Sequence, residues 1–143
     1  MKVRQISIFL ENKSGRLAKV TRVLGENGIN IRALSIADTT DFGILRLIVS
    51  EPEKAHAVLK ESGFTVSATD VIAVEVADTP GGLAVTLETL EKSGINIEYL
   101  YAFVQKASSA ALVVFRVEQV EEAVKVLQQS GTRILNEDEV CKL

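Results

Sequence analysis

A chain of 143 residues has the size of one compact domain or of two minimal ones. Its 47% apolar and 24% charged residues are an ordinary globular balance, which excludes disordered and fibrous chains. A net charge of −3, from 16 basic and 19 acidic residues, leaves no electrostatic footprint for gripping a nucleic-acid backbone or an anionic membrane.

One cysteine, Cys141, and one histidine, His56, exclude an internal disulfide framework and cysteine- or histidine-rich metal centres. The apolar stretch at 6–10 is broken by Ser7 and lacks a small-residue cleavage site, so no signal peptide is expected. The longest apolar run, 110–115, is far below the roughly 18 residues of a membrane span. The expected setting is soluble, reducing and cytoplasmic.

Ile6, Ile8 and Leu10 alternate with Ser7 and Phe9, the pattern of a strand with one buried face. A helix is expected from about Gly15, since Leu17, Val20 and Leu24 recur at spacings of three and four, and Asn27-Gly28 ends it. A strand at 30–38, a turn at Thr39-Thr40-Asp41 and a strand carrying Leu45, Leu47 and Val49 follow. Ala55, Val58 and Leu59 mark a second helix that begins near Glu51, where Pro52 and the acidic Glu51 and Glu53 suit a helix N-terminus. Gly63 stops it before a short strand at 64–67. The later half reads in the same order: strand 71–77, helix 82–93, strands 96–104 and 111–117, helix 119–130 and strand 132–135.

The two halves are copies. A shift of 66 aligns Gly15-Arg16-Leu17-Ala18 with Gly81-Gly82-Leu83-Ala84, and Gly28-Ile29-Asn30-Ile31 with Gly94-Ile95-Asn96-Ile97. Over 6–36 against 72–102 there are 10 identities in 31 ungapped positions, where unrelated sequence gives roughly one in fifteen. After two residues added near 105–111 the shift becomes 68, and Leu45, Leu47 and Val49 meet Val113, Phe115 and Val117. The predicted fold is α+β: two tandem ferredoxin-like βαββαβ units, 1–70 and 71–143, each an antiparallel sheet with helices on one face. Units of this size are marginal alone, so the two are expected to share a surface, by edge strands or by open sheet faces.

Between the first strand and first helix of each copy lies a polar turn: Glu11-Asn12-Lys13-Ser14-Gly15-Arg16-Leu17, and Ala77-Asp78-Thr79-Pro80-Gly81-Gly82-Leu83. Glycine permits close backbone approach there, and a helix start aims N–H groups at whatever the turn holds, such as a carboxylate. Eighteen residues beyond Asn12 and Asp78 come Asn30 and Asn96, which open the next strand. A plainer reading makes Asn, Asp or Ser an ordinary N-cap and each Gly-Ile-Asn a simple turn. Recurrence of both positions in both copies weighs towards a site.

Asp78-Thr79-Pro80-Gly81-Gly82-Leu83 with Gly94-Ile95-Asn96-Ile97 resembles the ACT domain, a small βαββαβ module that regulates amino-acid metabolism by binding amino acids. Asn12-Lys13-Ser14-Gly15-Arg16-Leu17 with Gly28-Ile29-Asn30-Ile31 is a looser copy. The resemblance implies a ligand site at the junction of two units, touched by Asn12, Gly15, Leu17, Asn30 and Ile31, and by Asp78, Gly81, Leu83, Asn96 and Ile97. The flanking Lys13, Ser14, Arg16 and Gly82 complete the candidate set. Ser14 stands where the family commonly has proline. Lys13 and Arg16 make the first turn cationic whereas Asp78 makes the second anionic, so a ligand carboxylate is expected to prefer the first turn.

Tyr99, Tyr101 and Phe103 share one face of a strand, opposite Leu100, Ala102 and Val104. With the aliphatic row towards the helices, the aromatic row lies on the open sheet face, where packing against another sheet or subunit is expected. Glu137-Asp138-Glu139 reads as a solvated acidic tail, His56 as a solvent-edge helix residue and Cys141 as a passenger. No nucleophile elbow, phosphate loop or dinucleotide fingerprint occurs, and nothing calls for a cofactor or metal. The expected protein is a non-catalytic regulator binding a free amino acid, a homodimer that passes its output to a separate enzyme or regulator. The alternative is a constitutive dimerisation or assembly module without a small ligand; an enzyme completed between subunits is a weaker third class.

Overall fold

The computed structural model describes residues 1–38, 41–105 and 110–143. The chain runs β1 (Val3–Glu11), α1 (Arg16–Glu26), β2 (Ile31–Asp38), β3 (Phe42–Val49), α2 (Pro52–Glu61) and β4 (Thr65–Ala77). It continues through α3 (Gly82–Lys92), β5 (Ile97–Ala102), β6 (Ala110–Val117), α4 (Val120–Gln129), β7 (Ile134–Leu135) and α5 (Glu137–Cys141). Thr39 and Thr40 of the expected turn, and 106–109 of the expected insertion, lie outside the described residues.

Each copy has the ferredoxin-like strand order, β2-β3-β1-β4 in the first and β5-β6-β4-β7 in the second. One strand serves both: β4 pairs with β1 over 65–71 and with β6 over 72–77. The two strands expected at 64–67 and 71–77 are therefore a single 13-residue strand. Residues 65–71 alternate Thr65, Ser67 and Thr69 with Val66 and Ala68, which is strand periodicity in polar residues.

The even residues of β1 and β4 and the odd residues of β3 and β6 meet the helices. Ile6, Ile8 and Leu10 pack with Val20 and Leu24 of α1 and Ala55 and Leu59 of α2. Ile72, Val74 and Val76 do the same with Leu90 of α3 and Ala123 and Leu127 of α4. Each fully buried Leu or Ile contributes roughly 2 kcal/mol.

The opposite faces form a third core. The sheet curls until β2 meets β5, through an antiparallel bridge between Ala33 and Phe103 and a bond from the Val104 N–H to the Arg32 carbonyl, 3.0 Å. Ala33, Ile48, Val3 and Val71 then pack against Leu112, Val114, Tyr101 and Phe103. The aromatic row thus buries between sheets as expected. Its aliphatic counterpart points outward, but no helix among the described residues covers it: Leu100 and Val104 are 38% and 69% exposed.

The acidic segment stays half-buried to exposed, but it is a helix rather than a loose tail. Asn136 accepts from the Glu139 N–H, and the Glu139 carboxylate accepts from the Asn136 N–H, a capping box that starts α5. Val140 is fully buried in the third core, so α5 plugs one end of the space between the sheets. Burial, followed by nearby Glu137 and Asp138, pushes the Cys141 thiol up from its ordinary pKa.

Candidate functional site

Both strand-to-helix turns use the same backbone device. Gly15 (φ 86°) and Gly81 (φ 83°) occupy the N-cap positions of α1 and α3 in the left-handed region, where a side chain is strained. The N-cap is therefore glycine, not the Asn, Asp or Ser of the plain capping reading.

Around this device the copies diverge. Beside the first turn lies a small cleft of about 160 Å³, lined by Phe9, Glu11, Arg16, Phe42 and Phe64 among others. The equivalent cleft at the second turn is about 540 Å³, and the corresponding residues are Glu75, Ala77, Gly82, Ala110 and Thr132. Four of the replacements that open it substitute small residues for large: Ala77 for Glu11, Gly82 for Arg16, Ala110 for Phe42 and Thr132 for Phe64. Gly82 is buried and tightly placed, since a Cβ built on it falls 1.9 Å from the Ala77 carbonyl oxygen. The backbone of α3 thus forms the cleft wall directly.

Electrostatics separate the turns as well. Glu11 takes up both cations of the first, Lys13 Nζ at 2.9 Å and Arg16 Nη2 at 3.8 Å. Its hydrogen bond and charge interaction with Lys13, and then the charge of Arg16, lower the Glu11 carboxyl below its usual range. Glu11 thus offsets one of the two positive charges read from Lys13 and Arg16 and leaves the other in excess at the turn. The second cleft carries one charge of each sign, Arg133 Nη1 donating to Glu75 Oε1 at 2.6 Å, with Arg133 Nη2 3.4 Å from Glu139. Those bonds raise the Arg133 pKa further.

The turns and the asparagines do not meet within a copy. Glu11 lies opposite Phe42 at one end of β3, and Ile31 opposite Val49 at the other. Seven strand steps, about 24 Å, separate them. Asn30 is occupied locally: its N–H donates to Ser50 Oγ at 2.9 Å, and its Oδ1 accepts from the Ile31 N–H. The curled sheet instead brings Arg32 and Ala33, just after Asn30 and Ile31, to the end of β5. That end also holds the second turn, since Ala77 lies opposite Ala110, with β6 and β5 between. Apart from Gly82, the candidate residues range from exposed to half-buried. Sequence reasoning missed Glu75, Ala110, Thr132 and Arg133, which reach the second turn only through β-pairing and the α4–β7 connection.

The sequence profile described as an ACT domain pair matches residues 1–143. The chain belongs to that family. Protein BT0572 from Bacteroides thetaiotaomicron, a crystal structure, is 44% identical with a TM-score of 0.94, over 100% of this chain and 98% of that one. The ligand-free regulatory subunit of aspartate kinase from Thermus thermophilus shares the fold of this ACT pair at 21% identity and a TM-score of 0.63, over 89% and 91% of the two chains. The acetolactate synthase small subunit of Buchnera aphidicola is 39% identical over 49 residues, 34% of this chain and 31% of that subunit. The ACT pair thus matches less than a third of that curated relative's length. None of its helices among the described residues is long and apolar enough to cross a membrane.

Proposed function

We propose that this ACT pair is a cytoplasmic, non-catalytic regulator that binds a free amino acid in the cleft at the second turn, which is lined by the second unit alone rather than by the junction of two units that the resemblance implies. The observation that carries the reading is the opened cleft itself. Its glycine-walled floor sits at the start of α3, and Glu75 and Arg133, ion-paired to each other, line it with the two signs that a zwitterion would exchange for bonds to its own ammonium and carboxylate. The ligand carboxylate docks towards the α3 N-terminus and Arg133, and its ammonium towards Glu75. Of the candidate residues, Gly81 and Gly82 line this cleft, and Asp78 and Leu83 flank it in the same turn, with Asn30 and Ile31 at the same end of the sheet. Asn12, Lys13, Ser14, Gly15, Arg16 and Leu17, with Asn96 and Ile97, form its smaller counterpart.

The units 1–70 and 71–143 respond as one body, because β4 belongs to both. A ligand that prefers one setting of the α3 end against β4 biases the whole sheet by its differential affinity. Output passes to a separate enzyme or regulator through a homodimer. The dimer reading is supported by Leu34, Ile36, Leu100 and Val104, exposed on the outward face where β2 and β5 meet.

Calorimetry of the purified chain against the twenty amino acids tests the proposal. Saturable binding by one or a few is the expected result. Silence across the set at about 5 mM ligand, with the dimer intact by sedimentation, supports the assembly module instead.

A further inference from the structure

The space between the two sheets is plugged by α5 at one end and opens at the other. At the open end a cavity of about 360 Å³ is lined by Ser7, Phe9, Ile44, Arg46, Ser67 and Tyr99, together with three further β4 residues. It lies on the inward face of the first sheet, opposite the face covered by α1 and α2.

Arg46 is held there in an unusual way. Its guanidinium lies 3.8 Å from the centroid of the Tyr99 ring. Among the described residues it has no hydrogen-bond or ion-pair partner. Tyr99 is itself fixed: Gln5, fully buried, donates from Nε2 to the Tyr99 hydroxyl oxygen at 2.8 Å and to Ser7 Oγ at 3.2 Å, and accepts from the Tyr101 hydroxyl at 2.6 Å. A guanidinium stacked on a ring keeps its N–H edge in plane and available for two parallel bonds to a carboxylate.

The surroundings define the rest of the ligand. Ser35, Arg46, Ser7 and Ser67 form one row across β2, β3, β1 and β4, so hydroxyls flank the cation. In the next row outward Ile44 and Phe9 are paired, and Phe9 rests against Phe42 with ring centroids 5.0 Å apart. No acidic side chain is among the described residues lining the cavity, so a ligand ammonium has no counter-charge there. Phe9 is 50% exposed, which leaves apolar surface for a substituent to cover.

We propose that this cavity is a second ligand site, distinct from the second-turn cleft, which takes a small organic carboxylate with an apolar substituent and no positive charge. The carboxylate bonds the Arg46 edge and the serine hydroxyls, and the substituent packs on Ile44 and Phe9. The described residues of the second copy form no such site: Val71, Ala73 and Val114 replace Gln5, Ser7 and Arg46, and all three are buried in the third core.

The test uses 3-phenylpropionate and its neutral amide on the full-length chain, read by calorimetry and by tyrosine emission. The chain has two tyrosines and no tryptophan, and both tyrosines sit in this network. The acid is expected to bind saturably and the amide at least ~10-fold more weakly. Arg46→Gln should lose at least ~10-fold in affinity for the acid, and Arg46→Lys, which keeps charge without the planar edge, an intermediate amount. Thr132→Phe, in the other cleft, should leave this binding unchanged. Equal binding of acid and amide, unchanged affinity in a folded Arg46→Gln protein, or no saturation by the acid at about 10 mM would each overturn the proposal. The acid–amide comparison needs no variant, so it decides even where Arg46→Gln fails to fold.

Discussion

The two strand-to-helix turns start from one backbone design and end as different surfaces. Gly15 and Gly81 share a left-handed conformation, and α1 and α3 leave them with the same geometry. The residues brought alongside then decide. Glu11, Arg16, Phe42 and Phe64 fill the first cleft; Ala77, Gly82, Ala110 and Thr132 leave the second open. The inner sheet faces differ in the reverse sense, with Gln5, Ser7 and Arg46 in the first copy where the second has Val71, Ala73 and Val114. A duplicated module has kept its frame while its two surfaces diverged, so a conserved turn is a poor guide to which copy holds a ligand.

The largest effect that sharpens this comparison is expected at Gly82. Any side chain there meets the Ala77 carbonyl, so Gly82→Ala must displace the start of α3, at a cost of about 2–3 kcal/mol in denaturant unfolding, and abolish amino-acid binding. The matched change Arg16→Ala in the first copy should leave both stability and binding nearly unaltered. Equal responses at the two positions would remove the asymmetry.

Next in size is Gln5→Leu. It strands the buried Tyr101 hydroxyl, and about 1–3 kcal/mol of stability should go. Val71→Ala, at the equivalent position of the second copy, removes apolar volume instead. A polar loss shows as a change in the alkaline limb of stability, and the cavity does not. Burial, with a smaller contribution from Tyr99, pushes the Tyr101 hydroxyl well above the ordinary tyrosine value of 10.0. Its neutral form is favoured on folding, so that stability is present in full below pH 10 and is lost as pH rises above it. Thermal melting from pH 8 to 11 checks the sign.

The smallest expected effect is in acid at the first turn. Glu11 has its carboxyl lowered by Lys13 and Arg16, so the contribution of this exposed cluster is present above the ordinary carboxylate range and fades as pH falls through the lowered value. Added salt should mask it, and Glu11→Gln should leave the acid limb of the melting curve only slightly changed.

The repeat, the order of elements and the split βαβ architecture were legible because each rests on local periodicity and on glycines at helix ends. The fusion of two strands into β4 was less so, since the polar stretch at 67–70 carries no apolar alternation to join the strands expected at 64–67 and 71–77. α5 escaped notice because five residues with three acids look solvated; the Asn136-to-Glu139 spacing was the available signal. For the site, the turn glycines stood out, whereas cleft size depends on Ala110 and Thr132, which reach Gly81 only after β6 pairs with β4 and α4 returns to it. Arg133 and Glu75 likewise become neighbours across 58 residues of sequence. The burial of Gln5 depends on Tyr99 and Tyr101, 94 and 96 residues away.

The most direct test of the central claim is a calorimetric titration of the responsive amino acid into three proteins: the natural chain, Thr132→Phe and Arg16→Ala. Thr132→Phe places in the second cleft the aromatic ring that the first copy carries as Phe64. The predicted result is saturable binding to the natural chain and to Arg16→Ala, with at least ~10-fold weaker binding to a folded Thr132→Phe protein. Binding that survives Thr132→Phe and disappears in Arg16→Ala would place the ligand at the first turn and contradict the account.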